Sequence, residues 1–169
     1  NKFINNLKTK NIYLGVTINP MEISKNESNF NNFKTLCNID KDENIMLNVY
    51  DKNMMDNYFK VFINNLINSG INTFLIDYTN IKDLYSLRVL NYYHSKYFKD
   101  NNLRLNILSR NGLINSHNTN ILYTGKTLVS WDFLKKLPEY IISGSNIGIN
   151  FISNDIGGYY GGIEDDELY

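Results

Sequence analysis

Short runs of apolar and β-branched residues alternate along this chain with longer segments of helical period, and that alternation dictates the kind of sheet it can form. The runs are Asn11–Asn19 (NIYLGVTIN), Asn72–Tyr78 (NTFLIDY), Leu103–Ser109 (LRLNILS), Ile121–Gly125 (ILYTG) and Ile147–Ser153 (IGINFIS). Each is too short for a stable helix and reads as a buried strand. Between them, Lys52–Ser69 sets Met55, Tyr58, Phe59, Phe62, Ile63, Leu66 and Ile67 at helical spacing, with Gly70 as the residue that ends the helix. This stripe predicts a core-facing helix. Asp83–Lys99 starts acidic and carries Leu84, Leu87, Leu90, His94 and Tyr97 on one side. Ser130 is a plausible N-cap for a helix from Trp131 to about Ile142, with Pro138 expected to kink or shorten it. The lead-in Asn1–Lys10 is polar and helix-compatible. Pro20–Glu43 reads as an irregular surface loop with a short helix near Phe30–Leu36, and Asn111–Asn120 as a polar loop holding His117.

Strands and helices in the order β, α, β, α, β, β, α, β imply a parallel α/β architecture. Two arrangements satisfy the pattern: a flavodoxin-like open sheet, or part of a (β/α)8 TIM barrel. A complete barrel typically takes about 250 residues, and the chain has 169. Hydrophobic residues make up 43% of it, enough for a packed core. The 17 basic residues balance the 17 acidic ones, which argues against nucleic-acid or membrane-surface binding by bulk charge. No apolar run reaches the roughly 18 residues of a membrane-spanning helix. The single Cys37 excludes an internal disulfide and a cysteine-rich zinc site. It fits a reducing compartment, which favours the cytoplasm. His94 and His117 lack metal-ligand spacing, and no phosphate-cradling P-loop is present, so neither metal nor cofactor is expected.

Asp77 closes the Asn72–Tyr78 run. A carboxylate at the end of a buried parallel strand is costly unless it opens into a cleft, and that end is where β/α proteins place catalytic groups. Arg110 closes the following run, and Asp155 precedes Gly157 and Gly158, which permit a tight turn.

Several ordered segments resemble glycoside hydrolase family 31, the α-glucosidase and α-xylosidase group. That family has an Asn-x-His-Pro segment, a strand ending Trp-Trp-Ile-Asp with the nucleophile, a strand-end Arg, a Trp-[Ser/Thr]-Gly-Asp segment with the general acid, a Trp five residues on, and an Asp-Ile-Gly-Gly-aromatic turn leading to Glu-Leu-Tyr. Here the matching segments are Asn19-Pro20, Phe74-Leu75-Ile76-Asp77, Leu108-Ser109-Arg110, Tyr123-Thr124-Gly125-Lys126, Trp131, Asp155-Ile156-Gly157-Gly158-Tyr159 and Glu167-Leu168-Tyr169. The resemblance decides for a partial TIM barrel. It implies that residues 1–169 are a fragment of a single glycosidase-type catalytic barrel, truncated at both ends, with the remainder supplied by the parent chain. It further implies a retaining α-glycosidase acting on a carbohydrate, with Asp77 as nucleophile and Arg110, Asp155, Tyr123 and Trp131 shaping the sugar site.

The family's general acid is replaced by Lys126. A lysine near its ordinary pKa of about 10.4 remains a cation at neutral pH, and beside Asp77 an ion pair would hold its proton more firmly. One residue of Glu164, Asp165, Asp166 and Glu167 could stand in, although these read more simply as a solvated helix start. The aromatic pairs expected at Phe74-Leu75 and Phe151-Ile152 keep one ring each, and Asn118 and Asn154 stand where related members carry Arg and His. The alternative to a glycosidase is therefore a non-catalytic carbohydrate-binding barrel, or an inactive truncated remnant of such an enzyme.

Overall fold

The computed structural model describes residues 2–77, 83–104, 106–110, 116–118, 121–163 and 165–169, the Leu84 side chain excepted. Helix α1 (Lys2–Thr9) leads into strand β1 (Gly15–Ile18). A two-stranded antiparallel ribbon, β2 (Glu22–Ile23) and β3 (Ile45–Met46), brackets the short helix α2 (Phe30–Leu36). The ribbon lies at the ends of the stretch read as a loop. Two-residue strands leave no alternating pattern in a sequence, so only α2 was visible there. Helix α3 (Lys52–Tyr58) passes through a π-helical turn, Phe59–Ile63, into α4 (Asn64–Ser69), and Gly70 ends it in the left-handed conformation at φ 102°. The expected single helix is thus continuous but locally widened. Then come β4 (Thr73–Ile76), α5 (Leu84–Asp100), β5 (Ile107–Ser109), a 3₁₀ turn (Ser116–Asn118), β6 (Ile121–Tyr123), α6 (Trp131–Asn146) and β7 (Ile152–Ser153). The end of the second strand run at Tyr78, the loop residues 111–115, 119 and 120, and Glu164 lie outside the described residues.

All paired strands of the main sheet are parallel, in the order β1-β4-β5-β6-β7. Spatial order follows chain order without reversal. A flavodoxin-like sheet reverses at a switch point, so the singly wound order of a barrel is the one observed. An eight-stranded barrel closes on itself; here β1 and β7 are the edges of a five-stranded sheet.

The core lies between this sheet and its helices. In β4, Phe74 and Ile76 are fully buried while Thr73 and Leu75 are half-buried. Phe74 meets Phe98 of α5 edge to face, with ring centroids 5.5 Å apart. The ring retained at the Phe74-Leu75 pair therefore packs on a helix and does not face a sugar. Strand alternation puts Asp77 on the other face, with Thr73 and Leu75. His94, fully buried on α5, has Nδ1 2.9 Å from the Leu90 carbonyl and Nε2 3.4 Å from the Tyr58 hydroxyl. Burial lowers its pKa to about 4, so it is a neutral core residue.

Helix α6 begins where expected, with the Ser130 side chain accepting from the Phe133 amide at 3.2 Å. It continues past Pro138 to Asn146, beyond the expected end. The proline sits on the exposed surface and costs one hydrogen bond without stopping the helix. Gly144 is the helix's buried residue, and a Cβ there would come within 2.9 Å of Ile152 Cδ1. The missing side chain sets the close approach of α6 to β7. Among the described residues no helix is long and apolar enough to cross a membrane.

Phe74→Ala removes a fully buried ring from the interior strand β4 and should lower stability by about 3–5 kcal/mol. Urea unfolding checks this: the midpoint falls while the slope stays unchanged.

Candidate active site

The ends of β4, β5 and β6 carry the charged groups, and sheet register brings them together. Ile76 pairs with Ser109, and Ser109 with Leu122. Asp77 and Arg110 each follow their paired residues and emerge side by side. The Asp77 amide donates to the Ile18 carbonyl at 3.0 Å, which fixes its backbone against β1. Arg110 Nη1 donates to Asp77 Oδ1 at 3.1 Å. Lys126, just beyond β6, brings Nζ to 3.1 Å from Asp77 Oδ2. Each carboxylate oxygen thus has its own cation. Asp77 is 7% exposed, while the Lys126 side chain is 41% exposed and reaches in from the rim.

Burial alone would raise the Asp77 pKa, but the hydrogen bonds and charges of Lys126 and then Arg110 outweigh it and hold the carboxyl below the usual carboxylate range. The same contact with Asp77, with Tyr159 beside it, pushes the Lys126 ammonium up. Its Nζ also lies 5.1 Å from the centroid of the Tyr159 ring, in cation–π range. Lys126 is thus a fixed cation and not a proton donor near neutrality.

A second pair stands beside the first. The Tyr123 hydroxyl donates to Asp155 Oδ2 at 2.6 Å. Burial, followed by this bond and the Asp155 charge, pushes the Tyr123 phenol well above its ordinary value. Trp131 stands apart from both pairs at the start of α6, 41% exposed, with its indole N–H donating to Asp165 Oδ2 at 2.9 Å. Asp165 also accepts from the Glu167 amide at 3.0 Å, so this acidic stretch forms a turn and not a helix start. His117 is exposed, away from the ion pairs and near Gly148. Among the described residues no group of three or more His, Cys, Asp or Glu is gathered as metal ligands.

Glycines hold this rim in shape. Gly125 has φ 89°, and a Cβ there would come within 2.7 Å of Arg110 Nε. The guanidinium therefore rests against bare backbone. The glycine turn after β7 grips the segment after Lys126: the Tyr159 amide donates to the Thr127 carbonyl at 2.8 Å and the Val129 amide to the Tyr160 carbonyl at 3.1 Å. At Gly158 a Cβ would lie 2.6 Å from Val129 Cα, and at Gly162 2.1 Å from the Val129 carbonyl oxygen. The sequence reading missed this clamp and the placement of Tyr159 under Lys126. The doublets Gly157-Gly158 and Gly161-Gly162 were the available signal for the clamp, but nothing local says which strand-end loop they hold.

Gly125→Ala should displace the Arg110 guanidinium. The Asp77 carboxyl, followed by carbon-detected NMR titration, should then rise toward about 3.9. Linkage has opposite signs for the two partners. Asp77 has a lowered folded pKa, so its stabilisation is present above about pH 4 and lost as pH falls through the folded value. Lys126 has a raised one, so its contribution is present below about pH 10.4 and lost as pH rises through the folded value. Melting temperatures of wild type and Lys126→Met should accordingly differ by a constant amount between about pH 5 and 9 and converge outside that range.

Residues 1–169 match the model of the glycosyl hydrolases family 31 TIM-barrel domain. Among solved structures, the chain is similar to a family 31 α-xylosidase from Xanthomonas citri, with TM-score 0.68 and 17% identity over 93% of this chain and 21% of that one. It is also similar to a family 31 α-xylosidase from a soil metagenome, solved in complex with xylose, with TM-score 0.70 and 15% identity over 99% of this chain and 30% of that one. The chain therefore spans less than a third of the length of either structure. No curated protein matches it.

Proposed function

We propose, from the premise that this chain belongs to glycosyl hydrolase family 31 and forms part of its TIM-barrel domain, that Asp77 is the nucleophile of a retaining α-glycosidase-type site. The observation that carries the reading is the Asp77 carboxylate itself. It is buried at the C-terminal end of the interior strand β4 and kept ionised by Lys126 and Arg110. A barrel places its chemistry at this end, and a retaining mechanism needs an ionised carboxylate there to attack the anomeric carbon. Arg110, Asp155 and Tyr123 offer hydrogen bonds to sugar hydroxyls, and Trp131 offers an exposed ring at the entrance. The substrate is an α-linked sugar at the non-reducing end of a small glycoside. Xylose in the soil-metagenome neighbour makes α-xylosides the first donors to try. Residues 1–169 supply five strands of the barrel, and the parent chain supplies the others.

The second carboxyl of a retaining site, about 5–5.5 Å from the first, has no counterpart at Lys126. A general acid contributes about 10²–10⁴-fold, so unactivated alkyl glycosides should turn over slowly. The ion pair between Lys126 and Asp77 also favours a second reading, a carbohydrate-binding barrel that does not turn over.

A 5-fluoroglycosyl fluoride separates these readings, because fluoride departs with little acid help. A catalytic site yields a glycosyl ester on Asp77, found by peptide mass spectrometry and absent from Asp77→Asn. Sugar binding without that ester would leave the binding barrel. Lys126→Asp restores a carboxyl at the acid position and should raise hydrolysis of an alkyl α-glycoside by about 10²-fold or more.

A further inference from the structure

We infer that the leaving group this site favours is a phosphate, so that among α-linked sugars its preferred substrate class is an α-glycosyl phosphate. This rests on the reading of Asp77 as nucleophile and adds what the two cations around it are for. Lys126 and Arg110 each stand 3.1 Å from one oxygen of that carboxylate. When Asp77 attacks, its charge disappears into a neutral ester. Both cations then lose their counter-ion, Arg110 half-buried and Lys126 at the exposed rim, and another anion in its place would restore the pairing. An alcohol leaving group makes this worse, since it must collect a proton that Lys126 does not give. A phosphate supplies the missing charge.

The balance closes for a glycosyl phosphate monoanion. Before reaction, Asp77 and the substrate carry one negative charge each, opposite Lys126 and Arg110. One Asp77 oxygen bonds to the anomeric carbon, the bond from that carbon to the phosphate oxygen breaks, and its electron pair stays on the phosphate. Hydrogen phosphate leaves as a dianion with the proton it already carried, again opposite two cations. Water then attacks the anomeric carbon and the Asp77 carboxylate departs. The water's proton passes to the hydrogen phosphate, giving free sugar and dihydrogen phosphate. Lys126 is well placed for the departing group: its side chain is 41% exposed at the rim and its ammonium lies over the Tyr159 ring. Charge-assisted hydrogen bonds from an ammonium and a guanidinium are the usual means of holding phosphate.

The test measures phosphate release from α-xylose 1-phosphate and α-glucose 1-phosphate by the protein with its complete reading frame, beside labelling of Asp77 by the fluoride donor. A nucleoside diphosphate sugar forms a third arm. Nucleotide release there, without release from the simple phosphates, would assign the phosphate to a sugar nucleotide. The expected result is phosphate release faster than hydrolysis of the matching methyl α-glycoside. Release should fall above about pH 6, where a phosphate monoester loses its second proton; of the groups facing it, Asp77, Arg110, Lys126 and Tyr159, the Asp77 carboxyl is held low and the Lys126 ammonium high by their mutual contact, away from that range. Lys126→Met should slow release roughly tenfold or more, the scale of one charge-assisted hydrogen bond, and Lys126→Arg should retain most of it. Labelling of Asp77 with no release from any phosphate donor would overturn this inference and leave the nucleophile standing. Release that survives Asp77→Asn, or absence of both labelling and release, would overturn the two together.

Discussion

A buried carboxylate that stays charged is the constraint around which this rim is built. Asp77 has almost no contact with solvent, and an isolated carboxylate there would protonate. It remains ionised because β5 and β6 each deliver a cation to one of its oxygens. Parallel register makes this possible. Strand ends that advance together across a sheet put the residue after each strand beside the residue after the next. The pairing that keeps Asp77 charged also lowers its electron density. The site therefore stabilises the carboxylate as found.

The second requirement is positional. Lys126 lies in a loop, and a lysine side chain has enough freedom to leave its partner. Two contacts limit that freedom. The Tyr159 ring lies beneath the ammonium, and the glycine turn pins the backbone just after it at Thr127 and Val129. Those glycines carry no side chain where Val129 passes, and any Cβ there would collide with main-chain atoms. Gly125 performs the same service for Arg110 from the other side. The glycine-rich turn thus holds Lys126 on the carboxylate, and Gly125 makes room for Arg110.

Much of this was legible in the chain itself. Helix α5, the Ser130 cap, the Gly70 terminator and the parallel strand order all follow from local patterns. Asp77 and Arg110 could be placed at strand ends because apolar runs stop there, and Asp155 in the glycine turn after the last run, whereas Tyr123 was singled out only by the family resemblance. What local pattern does not encode is register between strands and contact between loops. The Tyr123–Asp155 bond spans two strand ends, and the Trp131–Asp165 bond joins a helix start to a distant turn. The ring at Phe74 shows the converse: a residue type suggested sugar stacking, and strand alternation turned it into the core instead. Pro138 shows propensity overridden, since the helix carries it on an exposed face and continues.

The rim does not depend on closure of the sheet. Asp77, Arg110 and Lys126 come from three adjacent strands, and each contact among them is made across neighbouring strands or by the loop just beyond β6. The sheet is covered by helices at Phe74 and Ile76, whereas Leu75 and Thr73 on the opposite face are only half-buried. Helix α6 likewise leaves Tyr140, Ile141 and Ile142 exposed near the β7 edge. Further strands would cover apolar surface and enclose the space above Asp77, lowering the local dielectric and strengthening each charge–charge contact already present. They would not need to rebuild the constellation. The geometry of this ion-paired rim is thus a property of β4, β5 and β6 together with the glycine clamp, and closing the sheet would mainly change how strongly the same charges act.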